Sequence, residues 1–140
     1  MTQTCDLVRL ERHNVGNLTK MSDVLLATDA DWLFDDVTAA LGGWHDVHRV
    51  REGGHVTGAI SEIDAKLVIL DLQIGNMGGI ATSILMKQEA RAGRLPDIPV
   101  LLLLDREADE FLAGQSEADA WVTKPLNSLA LRRAAQDLLE

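Results

Sequence analysis

Two stretches of this chain are apolar at almost every position: Leu67-Val68-Ile69-Leu70, and Pro99 through Leu104. A strand with one wet face alternates apolar and polar residues. A strand without polar positions needs cover on both faces, which a parallel sheet between two helical layers supplies. The rest of the chain fits that demand. Val24-Leu25-Leu26-Ala27, Val47 to Val50 and Ala120 to Val122 are shorter runs of strand type. Between the runs lie amphipathic stretches: Ala30 to Leu41, Thr57 to Ile63, Ile80 to Ala92 and Ala108 to Gly114. A last helix is expected to open at Pro125, where a missing N–H costs least, with Leu126, Leu129, Ala130, Ala134 and Leu138 on one side.

Strands alternating with helices predict an open, doubly wound α/β fold with a parallel sheet between two helical layers. Right-handed crossovers make the connections. Any ligand site then belongs at the carboxyl ends of the strands, beside the switch in strand order. The 140 residues suffice for one domain, and 46% hydrophobic content for one core. The regular pattern begins at Asp23, so residues 1–22 are expected to be an extension and 23–140 the domain.

Charge narrows the function classes. A formal net charge of −9 repels phosphate backbones and anionic lipid, so neither nucleic acid nor membrane is an expected partner. No apolar run approaches the roughly 20 residues of a membrane span, and Met1 to Thr4 lacks the start of a signal peptide. The single cysteine, Cys5, forms no internal disulfide, in keeping with a cytoplasmic location. His13, His45, His48 and His55 have no zinc-ligand spacing, and Gly53-Gly54 lacks the downstream lysine of a phosphate loop. Phe34 and Trp32 are expected to pack inward from the first helix, and Trp44 to pack in a loop.

Charged residues follow the strands in a telling order. Asp29 follows the first, Asp71 the third, Asp105 the fourth and Lys124 the fifth. Asp105 precedes Arg106-Glu107-Ala108 and has an ordinary role available as a helix cap. Asp71 has none, because Leu72 to Gly79 separates it from its helix.

Here the sequence resembles the receiver domains of bacterial response regulators. Leu67 to Gly79 is similar to their phosphoacceptor segment, and Ala118-Asp-Ala-Trp-Val-Thr-Lys-Pro125 to their lysine–proline segment. Val24 to Asp29 resembles their first strand with its acidic end, and Pro99 to Leu104 their fourth strand. The resemblance covers residues 23–140 and implies a three-layer, doubly wound (βα)5 domain of flavodoxin-like topology, with a five-stranded parallel sheet of order 2-1-3-4-5. It implies a non-enzymatic, stand-alone signalling domain of a two-component system. Asp71 would accept a phosphoryl group from a histidine kinase or phosphotransfer protein, and the signal would leave through contact with an unidentified downstream protein. Asp29, Asp71 and the backbone carbonyl of Gln73 would hold Mg²⁺, and Lys124 would contact the phosphoryl oxygens.

The departures from that pattern are specific. The usual acid pair after the first strand reads Thr28-Asp29, so Mg²⁺ binding should be weak. Gly75 and Gly78 replace a proline and an acid, which should loosen the loop. Leu104 stands where receivers carry a Ser or Thr hydroxyl, and Trp121 where they carry a smaller aromatic. Leu104 is expected to be a fixed apolar plug and Trp121 to keep one rotamer. Phosphorylation would then leave the fourth helix and fifth strand largely unmoved. Two other readings compete. A pseudo-receiver would bind protein without phosphorylation, favoured by Thr28 and Leu104. A flavin protein on the same fold would have to place its phosphate against the carboxylates of Asp29 and Asp31.

Overall fold

The computed structural model describes residues 22–75 and 77–140. The expected extension, with Cys5 and His13, therefore lies outside the described residues apart from Ser22, as does Asn76 of the loop after Asp71.

Five parallel strands form one sheet in the order β2-β1-β3-β4-β5. They are β1 (Asp23–Ala27), β2 (Asp46–Val50), β3 (Leu67–Asp71), β4 (Val100–Leu104) and β5 (Ala120–Thr123). The helices are α1 (Asp31–Leu41), α2 (Val56–Ile63), α3 (Gly79–Arg91), α4 (Glu110–Gln115) and α5 (Ser128–Leu139). Short 3-10 turns at Gly53–His55 and Glu107–Asp109 lead into α2 and α4.

The apolar runs behave as their composition demands: every residue of β3 and β4 is buried. Their side chains alternate between two cores. Val24, Leu26, Leu67, Ile69, Leu101 and Leu103 pack with Leu33, Val37 and Leu41 of α1 and with Leu131 and Ala135 of α5. Leu25, Ala27, Val68, Leu70, Leu102 and Leu104 pack on the opposite face with Val56, Ile60, Met86 and Ala113. Each fully buried aliphatic side chain contributes about 1.5–3 kcal/mol of transfer free energy. These two layers therefore hold the sheet rigid, and the sheet positions everything at its rim.

Two sequence expectations need correction. The last helix begins at Ser128, not at Pro125. Asn127 is its N-cap, its side chain accepting from the Ala130 N–H, a contact worth about 1 kcal/mol. Pro125 lies before that cap, after a cis bond to Lys124. Trp32 was expected in the core and is 54% exposed. Leu33, Val37 and Leu41 already fill the inward stripe of α1, which leaves Trp32 outside it. Phe34 is half-buried against that core, with the Arg49 guanidinium 5.2 Å from its ring. Trp44 is also largely exposed. The fourth helix is as short as its sequence suggested and contains Gly114.

Candidate functional site

The carboxyl ends of β1, β3, β4 and β5 bring two carboxylates, one hydroxyl and one ammonium together. Asp71 closes β3 and is nearly sequestered, at 4% exposure. A carboxylate that dry needs donors. Asp71 has three: the Lys124 ammonium (2.8 Å) and the Gln73 N–H (3.1 Å) donate to Oδ1, and the Thr28 hydroxyl (2.7 Å) donates to Oδ2.

Each donor is fixed by the fold. Thr28 is fully buried just past β1, and its Oγ1 also accepts the Ala30 N–H, 3.1 Å away. Its carbonyl accepts from Arg49 Nε (3.2 Å), whose guanidinium continues to Asp31 (2.8 Å). Lys124 follows β5 and is tied in by its N–H to the Leu104 carbonyl, 2.8 Å away. The turn after β3 folds back through the Ile74 N–H to the Asp71 carbonyl and the Met77 N–H to the Gly75 carbonyl. That turn requires a glycine at position 79. A Cβ there would stand 2.7 Å from the Asp71 carbonyl oxygen and 3.0 Å from Leu72 Cα, too close for any other residue without a shift of backbone.

Asp105 does not cap a helix. It accepts from Lys124 Nζ at 2.7 Å and from the Gln73 side-chain amide at 2.6 Å. The turn that follows is capped from Arg106 and Asp109 instead: the Arg106 N–H donates to Asp109 Oδ2 and the Arg106 guanidinium to Oδ1. With its capping role taken, Asp105 turns to the nearest cation. Charge order in the sequence placed Asp105 on this rim, and the missed signal was the i, i+3 pairing of Arg106 with Asp109.

The pair is electrostatically tight. Burial pushes the Lys124 ammonium down, but hydrogen bonds to Asp105 and Asp71, and the charges of both, outweigh it and hold the group above the ordinary lysine value. Burial also raises Asp105, and hydrogen bonds from Lys124 and Gln73 with the charges of Lys124 and Arg106 overcome it, so its carboxyl is held below the ordinary range. Lys124 is therefore an ammonium between two carboxylates. The Trp32 ring centroid lies 6.0 Å from Nζ, a long cation–π contact at the mouth of the site.

The remaining residues are placed as follows. Asp29 is exposed and makes no hydrogen bond or ion pair among the described residues. Leu104 is fully buried in the layer beneath α2 to α4. Trp121 is 37% exposed on the edge strand, opposite Leu102. Among the described residues no three His, Cys, Asp or Glu side chains group as metal ligands. Mg²⁺ prefers oxygen ligands and often takes one or two carboxylates with water completing its shell. Asp71 Oδ2, whose second lone pair is left by Thr28, the exposed Asp29 and the Gln73 carbonyl match that chemistry, with little charge to hold the ion.

No protein-family model matches the chain. Known proteins do. The chain is 28% identical over 95 residues to the aerobic respiration control protein ArcA of Escherichia coli K12. That match takes in 68% of this chain and 38% of ArcA, so the chain spans well under half of the relative's length. The signal receiver domain of a Syntrophus aciditrophicus signal transduction histidine kinase superposes with a TM-score of 0.74 at 24% identity, over 84% of this chain and 89% of that one. The chemotaxis protein CheY4 of Vibrio cholerae gives 0.71 at 19% identity, over 85% and 99%. The chain has the receiver fold of response regulators. The BeF3-activated N-terminal receiver domain of Klebsiella pneumoniae RstA is a further neighbour of this receiver fold, at TM-score 0.73 and 19% identity, over 84% and 98%. The flavodoxin-like topology and the strand order expected from the sequence are those observed.

Proposed function

We propose that the protein is a phosphorylation-dependent receiver of a two-component system, with Asp71 as the phosphoacceptor. The observation that supports this most is the pairing of a nearly buried Asp71 with Lys124 at 2.8 Å, at the end of the central strand. Asp71 Oδ2 would attack phosphorus on the phosphohistidine of a kinase or phosphotransfer protein, forming an acyl phosphate as the N–P bond breaks and the imidazole leaves, or on a small phosphodonor whose own leaving group departs. Thr28 would have to release that oxygen. Lys124 would then bind the transferred phosphoryl oxygens as a point charge. Mg²⁺ on Asp71, Asp29 and the Gln73 carbonyl would screen the approaching anion, and positioning with charge neutralisation carries most of such a transfer.

The protein would work as a signalling component rather than as a conventional enzyme, in the cytoplasm, handing the state of Asp71 to a downstream protein. Among the described residues no helix is long and apolar enough to cross a membrane. The 1–22 extension and the 23–140 receiver belong to this proposal as one signalling unit.

Incubation with acetyl phosphate and Mg²⁺ tests the reading. An acid-stable, base-labile phosphoprotein should form with the natural chain and be absent from Asp71→Asn. No phosphoprotein under saturating donor and metal would refute it. A second reading has its own observation: Thr28, Gln73 and Lys124 satisfy Asp71 without any metal or phosphate. That suits a pseudo-receiver whose surface binds protein in one fixed state, and the same experiment decides between the two.

A further inference from the structure

Lys124 has two of its three N–H donors on carboxylates, Asp71 at 2.8 Å and Asp105 at 2.7 Å. Asp105 is held on its other oxygen by Gln73 at 2.6 Å. An anion therefore already sits on the ammonium that a phosphoryl group on Asp71 would need. An acyl phosphate brings more negative charge than the carboxylate it replaces, and it would face Asp105 across the same ammonium. Two anions sharing one desolvated cation repel each other far more strongly than they would in water.

The chain on either side of Asp105 is built differently. Leu104 before it is fully buried and pinned in the core. Arg106 after it belongs to a closed box in which Arg106 and Asp109 exchange three hydrogen bonds, the Asp109 N–H to the Arg106 carbonyl among them. That box leads directly into α4. Asp105 is the one residue between the fully buried strand end and the Arg106–Asp109 box.

We propose that Asp105 is the output switch of this receiver, an internal anion that the phosphoryl group displaces from Lys124, so that the segment from Asp105 to Asp109 moves outward with the start of α4. The inference rests on Asp71 being the phosphoacceptor. It reverses the sign of the coupling that the resemblance implies: a carboxylate is driven off instead of a hydroxyl being drawn in. It also revises the expectation that the fourth helix stays unmoved. That expectation rested on Leu104 and Trp121 alone, whereas the structure also puts Asp105 on Lys124. Trp121 and Leu104 still take no part.

The test uses beryllofluoride with Mg²⁺, followed by amide shifts and by titration, on the natural chain, Asp105→Asn and Gln73→Ala. Asn keeps the shape and removes the charge, and a native-like amide spectrum verifies that each variant folds. In the natural chain, shifts should run from Asp105 through Asp109 into α4. Asp105→Asn should bind beryllofluoride about tenfold tighter, as expected for losing one charge-assisted competitor. Its free spectrum over 106–110 should already resemble the bound natural chain. Gln73→Ala, which frees Asp105 without discharging it, should tighten binding by less. Binding by Asp105→Asn alone would also support displacement. Equal affinities, or an unmoved 105–110 segment in a natural chain that does bind, would overturn the switch and leave the phosphoacceptor reading standing. Binding by neither protein would overturn both.

Discussion

β1 runs on into Thr28 and Asp29, and β4 ends in Leu104 and runs on into Asp105. In receivers the first of these ends carries two acids and the second a hydroxyl, as the resemblance has it. Here the first end has given up an acid for a hydroxyl, and the second has given up its hydroxyl and has an acid alongside. The Thr28 hydroxyl reaches Asp71 from one side (2.7 Å), and Asp105 reaches Lys124 from the other (2.7 Å). The rim thus keeps a hydroxyl, a lysine and additional acids around Asp71, but distributes them differently between strands. A displaced hydroxyl binds the resting carboxylate, and a displaced acid binds the resting lysine. Both contacts are made without any phosphate.

Removing the group that both ends lean on should give the largest effect. Lys124→Met keeps the unbranched stem, one atom shorter, and takes away its charge. Asp71, 6% exposed at its side chain, then loses its counter-ion with Asp105 close by. Breaking a buried pair from one side costs about 3–5 kcal/mol, and the partial exposure of Asp105 favours the lower figure. Urea denaturation should show that loss, and adding Asp71→Asn should restore part of it. A variant as stable as the natural chain would mean that neither carboxylate depends on Lys124.

The β1 end gives the next effect. Thr28→Val keeps the shape and removes the donor to Asp71 Oδ2, which should cost about 1–3 kcal/mol in a metal-free buffer. Thr28→Asp puts a second carboxylate against Asp71. It should be destabilised without metal and regain stability steeply as Mg²⁺ is added, since a ligand that binds only the folded state stabilises it. Thermal scans across a Mg²⁺ series check this. If Thr28→Asp and the natural chain respond alike to Mg²⁺, the threonine is not what weakens the metal site.

How much of this the sequence carried follows from what each level of structure depends on. The sheet was legible because β3 and β4 are apolar at position after position, a pattern that burial on both faces requires. The start of the last helix was misplaced because Pro125 and Asn127 both signal a helix start, and only the cap contact to Ala130 decides between them. Asp29, Asp71, Asp105 and Lys124 could be expected on the rim because strand ends are fixed by the sheet, but the hydrogen bond from Thr28 to Asp71 depends on side-chain packing that the sequence does not display. The partner of Asp105 could not be read in the same way. Lys124 is 19 residues away in sequence, and the choice between capping and pairing turned on Arg106 and Asp109 closing their own box. Trp32 was misjudged because an apolar residue beside a full core stripe is pushed outward, and how full that stripe is depends on packing.

The smallest predicted effect comes from the other end of the sheet, and it sharpens the comparison by separating rim from base. His45 is buried, with 8% exposure, and its Nδ1 accepts the Ser22 N–H at 3.2 Å just before β1. Accepting there requires the unprotonated nitrogen. Burial pushes the imidazole down from its ordinary 6.5. Below pH 6.5 the unfolded chain therefore binds a proton that the folded chain refuses. This contribution to stability is present above pH 6.5 and is lost as pH falls towards and through the lower folded value. The rim pair does not share that window, because Asp105 is held below 3.8 and Lys124 above 10.5. His45→Asn keeps an acceptor and has no proton to gain. Unfolding free energies measured from about pH 7 to about pH 5 should fall more steeply in the natural chain than in this variant. Parallel profiles for the two proteins would show that His45 takes no part in the acid response, and the separation of rim from base would fail.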